Sequence, residues 1–199
     1  YDVATDSTST RFTLPSGGFA YDLDTAYPHA ITLAYTAPAS DGGAGFDRSR
    51  IVRLHEDDTL TDVACSDEAG AWCFFPTVAG ERTWFVQSGE AGGLQADSVL
   101  AYVDEPGDAI RQVVPWATEP AAVGDHVAWV AVDPLSGVRG LELGDADGAW
   151  LRTLIPAGQL ADISHPFFGA DGAWLYFVVP TPAVVGRLSW IVSGAQAHG

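Results

Sequence analysis

Chemistry in this chain would have to come mainly from carboxylates, because Asp and Glu supply 26 of its 199 residues while Arg alone supplies the nine basic charges. Asp22, Asp24, Asp41, Asp47 and Asp133 could serve as an acid and base pair in glycoside chemistry if two of them met across a central channel. Each has an equally ordinary use as a turn residue or a solvating charge. Asp145-Ala146-Asp147-Gly148 and the stretch from Asp41 to Asp47 offer oxygen ligands of the kind Ca²⁺ takes. Neither has the full alternating set with a distal bidentate Glu, so turn chemistry is the better account and no cofactor is expected. The histidines at 29, 55, 126, 165 and 198 are dispersed and form no zinc-ligand spacing, so no metal site is expected either. A Gly-x-Ser-x-Gly elbow, which would expose a nucleophile, is absent. No catalytic residue is assigned.

The two cysteines can be placed. A three-residue loop at Glu68-Ala69-Gly70 would pair Asp67 with Ala71 and Ser66 with Trp72, bringing Cys65 opposite Cys73. Cross-strand neighbours lie about 4.5–5.5 Å apart, within reach of a disulfide. The expectation is a stapled hairpin and an oxidising compartment, extracellular or periplasmic. The competing reading is a pair of small buried apolar residues.

The elements that would position these groups are strands. Gly140–Leu143, Trp150–Ile155 and Trp174–Val179 are short apolar runs rich in aromatic and aliphatic residues, and Asp147-Gly148 and Asp171-Gly172 sit at their junctions, where a three-residue hairpin loop is expected. Further runs at 19–23, 30–35, 50–55, 60–65, 72–76, 83–86, 99–103, 110–114, 126–132 and 188–192 alternate or are uniformly apolar. Turns arrive every 8–12 residues, and no stretch of 12 keeps a helical period, so the chain reads as all-β. The mixed faces of Arg50–His55 suggest a strand near a sheet edge.

The stretch Leu141-Glu142-Leu143-Gly144-Asp145-Ala146-Asp147-Gly148, followed by Leu151–Leu154, His165-Pro166-Phe167-Phe168-Gly169-Ala170-Asp171-Gly172 and Leu175–Val178, resembles the WD40-like (PD40) repeat of TolB-type β-propellers. The resemblance implies that the first turn joins the two outer strands of one blade and the second joins the two inner strands of the next. With that unit as template, inner strands begin near Phe19, Cys73, Pro120 and Pro166, a spacing within the range of propeller repeats. About four blades are expected, roughly 19–65, 66–117, 118–160 and 161–199, after a polar tail at 1–9. A strand at 10–14 either fills the last blade, or the blades form part of a larger ring.

Composition limits the partners. A formal charge of −17 repels a polyanion, so nucleic-acid binding is excluded from the expectations. No run reaches the ~18 apolar residues needed to span a bilayer. The opening residue, Tyr1 rather than Met, suggests a cleaved precursor or an excised fragment. The function expected is a non-catalytic secreted or periplasmic module that binds a partner protein or assembles. Its contacts would come from the irregular loops 38–49, 88–97 and 133–139, through Asp41, Asp47, Arg48, Glu90 and Asp133. The alternatives are a glycan-binding or glycan-processing propeller, and a structural subunit that self-associates by strand pairing.

Overall fold

A computed structural model describes residues 19–26, 30–38, 46–55, 57, 59–65, 72–89, 98–169, 172–180 and 183–189. The expected tail at 1–9, the strand at 10–14, Asp41, Glu90 and the loop 66–71 lie outside these residues. Every described element is a strand or a turn, and no helix is long and apolar enough to cross a membrane.

The strands form four consecutive antiparallel meanders. The first, blade 1, comprises β1 (Phe19–Ala26), β2 (Ala30–Pro38), β3 (Phe46–His55) and β4 (Leu60–Ala64), and blade 2 comprises β5 (Trp72–Ala79), β6 (Arg82–Ser88), β7 (Val99–Val103) and β8 (Arg111–Pro115). Blade 3 contains β9 (Ala117–Val123), β10 (His126–Val132), β11 (Arg139–Asp145) and β12 (Trp150–Ile155); in blade 4, β13 (Ser164–Phe168), β14 (Trp174–Pro180) and β15 (Ala183–Ser189) are described. The first strands β1, β5, β9 and β13 lie successively against one another, and the later strands of each meander radiate outward. This is the arrangement of a β-propeller.

Blades stack face to face, so a middle strand has neighbours on both sides. In β10, Val127, Ala128, Trp129 and Val130 are all buried, and Thr83 to Val86 of β6 are buried in the same way. The outermost strands β8 and β12 are mostly exposed. Three core clusters coincide with the three seams. Ile51, Val63, Cys73 and Phe85 join blades 1 and 2; Trp84, Tyr102, Val127 and Trp129 join blades 2 and 3; Val130, Leu141, Leu175 and Phe177 join blades 3 and 4. At about 25 cal/mol per Å² of apolar surface removed from water, these seams are the main favourable term holding the blades in order.

Both turn glycines behave as their position requires. Gly148 closes the β11–β12 turn at φ +78°, and a Cβ there would lie 2.8 Å from Val113 Cγ2 across the seam with blade 2. Gly172 precedes β14 at φ +65°.

Three expectations need correction. β3 is not at an edge: it pairs with β2 on one side and β4 on the other, and Arg53 turns toward blade 2 to donate to Thr83 Oγ1 at 3.1 Å. The third strand of the last blade starts at Ala183 rather than Leu188, because Val185 and Val184 continue the ladder opposite Val178 and Val179 after a short connection. Cys65 and Cys73 do form a disulfide, with Cα atoms 6.5 Å apart, but not within a hairpin. Among the described residues β4 pairs with β3 alone, and β5 opens the next blade, so the bond crosses a seam. The two cysteines are close because propeller geometry returns the outer strand of one blade to the start of the next.

Candidate binding site on the inner strands

The inner strands share a local device. In β5, β9 and β13 a register shift against the next strand coincides with a non-glycine residue of positive φ followed by proline: Phe75-Pro76 (φ +51°), Glu119-Pro120 (φ +49°) and His165-Pro166 (φ +49°). β1 has a register shift between Tyr21 and Leu23. Proline donates no ladder hydrogen bond, and a bulge is where a strand can do without one. Holding a residue with a Cβ in the left-handed region costs on the order of 1 kcal/mol or more, and the surrounding structure has to supply it.

The three bulges meet. Phe75, Pro76, Glu119, Pro120, His165, Pro166 and Phe167 line a cavity of about 230 Å³ between the inner strands of blades 2, 3 and 4. Glu119 is only 7% exposed. Its Oε1 accepts from Arg139 Nη1 at 3.0 Å, and its Oε2 accepts the backbone N–H of His165 at 2.5 Å, with His165 Nδ1 3.5 Å away. Arg139 also donates to the Ile163 carbonyl at 3.2 Å. Burying a carboxylate is tolerable only when it is paired and hydrogen-bonded, and here one side chain from β9 is satisfied by β11 and β13 together. The walls of the cavity are mainly aromatic and proline carbon. Its open side presents the His165 imidazole, 71% exposed, and Phe167, which stacks on Tyr176 at a centroid distance of 5.1 Å.

The cavity lies at the bulges near the middle of the inner strands β5, β9 and β13. Each inner strand starts at the end where the second strand of its blade finishes, so the connections β2–β3, β6–β7, β10–β11 and β14–β15 all emerge there. Those are the connections in which the expected contacts were sought. Asp47 and Arg48 stand at the start of β3, with Arg48 opposite Ala37, whereas Asp41 and Glu90 fall outside the described residues. Asp133 folds its own loop: its Oδ1 accepts the N–H groups of Leu135 and Ser136 and the Ser136 hydroxyl at 3.0, 2.7 and 2.8 Å. These bonds to Ser136, and then to Leu135, hold its carboxyl below the usual Asp range. Leu135 stands 96% exposed at the tip of that loop. Among the described residues, five of the eight exposed large apolar side chains lie toward this end: Trp116, Leu135, Val138, Val184 and Val185. Sequence reading missed Phe75, Glu119, His165 and Phe167; the recurrence of a residue-proline pair one blade apart is the signal that marks them.

The opposite end holds a cavity of about 300 Å³ around Arg82, lined also by Glu81, Asp104, Asp125 and His126. Arg82 bonds Asp104 at 2.6 Å, donates to the Ala146 carbonyl and lies over the Tyr102 ring at 4.0 Å, so its guanidinium is engaged in fastening blade 2 to blade 3. The carboxylate of Asp145, considered above as a calcium ligand, caps its turn by accepting the N–H groups of Asp147 and Ala149, both at 2.9 Å. No group of three metal-ligating side chains occurs among the described residues.

Fold and site together define a β-propeller with an apolar cavity on its inner strands. Among solved structures, the chain is similar to a protein assigned as TolB in Agrobacterium tumefaciens, with TM-score 0.57 and 15% identity over 81% of this chain and 54% of that one. It is also similar to TolB from Acinetobacter baumannii (TM-score 0.54, 13% identity, 79% of this chain and 38% of that one). A puromycin-hydrolyzing peptidase of Mycobacterium tuberculosis gives TM-score 0.53 and 17% identity over 90% of this chain and 30% of that one. The chain thus spans about half or less of the length of these structures. The likeness is one of fold, a TolB-like propeller. No family model and no curated protein matches the chain in sequence.

Proposed function

We propose that the chain is a non-catalytic protein-interaction module, and that it holds an extended segment of a partner protein against the bulges of its inner strands. A large apolar side chain of that segment would enter the cavity between Phe75 and Phe167. The observation that carries this reading is the convergence of three strained bulges on one apolar cavity, with the half-exposed Phe167 at its rim. Glu119, buried and occupied on both oxygens, supports a binding role over acid–base chemistry. The disulfide supports a secreted or periplasmic location. A glycan ligand is less well served, because the cavity offers no unengaged carboxylate.

Panning a displayed library of random peptides on the chain tests the proposal. Enriched peptides should share one large apolar residue and lose at least about tenfold in affinity against Phe167→Asp, on the order of 1.4 kcal/mol. Affinity that is unchanged by Phe167→Asp but lost with Trp150→Ser, on the outer strand β12, would overturn it.

A further inference from the structure

Side chains tie each inner strand to the next, but not always at the same place. At the first two junctions the tie lies beyond the bulge: Asp24 Oδ2 of β1 accepts the Val78 N–H at 2.7 Å, and Thr77 Oγ1 of β5 accepts the Ala122 N–H at 3.2 Å. Val78 and Ala122 each stand two residues past the proline of their strand. The residue of β9 that matches Thr77 is Ala121, since both resume pairing directly after the bulge, and its methyl group accepts nothing. At the third junction the tie has moved into the bulges themselves. Glu119, itself left-handed, takes the N–H of His165, the left-handed residue of the next strand.

That position gives the bond a different consequence. A bond beyond the bulge fixes strand against strand, whereas a bond to the His165 N–H fixes the peptide plane on which the φ of His165 depends. His165 carries a Cβ, so a φ of +49° is costly and needs a partner to hold it. Pro166, next in the chain, has no N–H with which to help. Phe167 then resumes the ladder opposite Tyr176, on which its ring stacks. Relaxing His165 to an extended conformation would therefore carry Pro166 and Phe167 out of their places in the cavity wall.

The acceptor must also be a carboxylate. Oε1 is taken by Arg139 Nη1 and Oε2 by the His165 N–H, and both partners only donate. An amide in that place has one oxygen, so its NH2 would face one of the two donors. Arg139, which also donates to the Ile163 carbonyl, in turn limits where the carboxylate can lie.

We infer that Glu119 is a positioning residue of the cavity: acting through His165, it holds the left-handed conformation that sets Phe167 at the rim. The inference rests on the peptide-binding reading above for its effect on affinity, but not for its effect on the backbone.

The test compares Glu119→Gln with wild type, alone and in a His165→Gly background, where glycine takes a positive φ without help. In the free chain, the NMR backbone shifts of residues 164–167 should leave their left-handed pattern in Glu119→Gln and keep it in Glu119→Gln/His165→Gly. Affinity for a panned peptide that depends on Phe167 should fall at least about tenfold in Glu119→Gln. Measured against His165→Gly alone, the same substitution should cost no more than about twofold. Thr77→Val, which removes the tie lying beyond a bulge, should also stay within about twofold of wild type. A merely structural role would give equal losses in both backgrounds, and that result overturns the inference. So does a His165 backbone unmoved by Glu119→Gln, or a loss from Thr77→Val as large as that from Glu119→Gln. Failure to enrich any Phe167-dependent peptide would overturn the reading above, and the backbone shifts would still decide this one.

Discussion

The seam between blades 1 and 2 and the seam between blades 3 and 4 solve one problem in different ways. At the first, Cys65 at the end of blade 1 is bonded to Cys73 in the inner strand of blade 2. Beside it the buried Ser49 hydroxyl donates to the Cys73 carbonyl and accepts its N–H, both at 2.8 Å. This tie is neutral, and its strength depends on oxidation. At the second, the Glu119 carboxylate reaches from β9 to Arg139 and to the backbone of His165 in the next blade. This tie is ionic, and its strength depends on exclusion of water. The contrast shows that a repeated fold need not repeat its fastenings. What recurs is the apolar seam, and each polar supplement is suited to its local surroundings.

The largest effect should come from breaking the ionic tie. Glu119→Ala leaves the largely buried Arg139 without its carboxylate, and should cost about 3 kcal/mol of unfolding free energy by denaturant titration, with no dependence on reductant. A loss below about 1 kcal/mol would mean that the pair is hydrated and the comparison fails. Reducing the disulfide, or replacing Cys73 by Ser, should cost less, about 2–3 kcal/mol for so short a loop. The two losses should add to within about 0.5 kcal/mol, because the sites share no partner; strong non-additivity would show that the two seams act as one unit.

The smallest effect sharpens the comparison by using a carboxylate placed differently. Glu142, half-buried opposite Trp129 on β11, has its carboxyl pushed above the usual Glu range by burial. A raised folded-state value means that the folded protein holds this proton more tightly than the unfolded chain. The stabilisation is complete below the unfolded value and is lost as pH rises through the folded one. Glu142→Gln should therefore gain stability relative to wild type as pH rises from about 4 toward neutral. A stability difference independent of pH across that window would contradict this assignment, and would remove the contrast with the cation-paired Glu119.

Much of the fold was legible before any coordinates. The glycines after Asp147 and Asp171 marked hairpin turns, and apolar runs too short for helices marked strands. The disulfide was legible for the wrong reason: two cysteines eight residues apart look like a hairpin, and the local count cannot tell that chain returns from a blade periphery to the axis between them. Arg50–His55 looked like an edge because its polar faces suggested water. In fact Arg53 is occupied by Thr83 of the neighbouring blade, and Arg50 pairs with Asp62 at 2.8 Å. The channel cavity was the least legible part. Pro120 and Pro166 read as the starts of inner strands, and only the register shifts reveal that the strands begin before these prolines and pass through them as bulges.

Taken alone, the order of residues determined that this chain would form short antiparallel strands joined at glycine turns. Those preferences are local, set by backbone sterics and by side chains within a few positions of one another. Only the tertiary structure decided that Phe75, Glu119 and His165, far apart along the chain, would surround one cavity, and that Cys65 and Cys73 would be joined across a seam between blades. Both outcomes depend on how whole sheets stack around an axis, a geometry that no single stretch of the chain encodes.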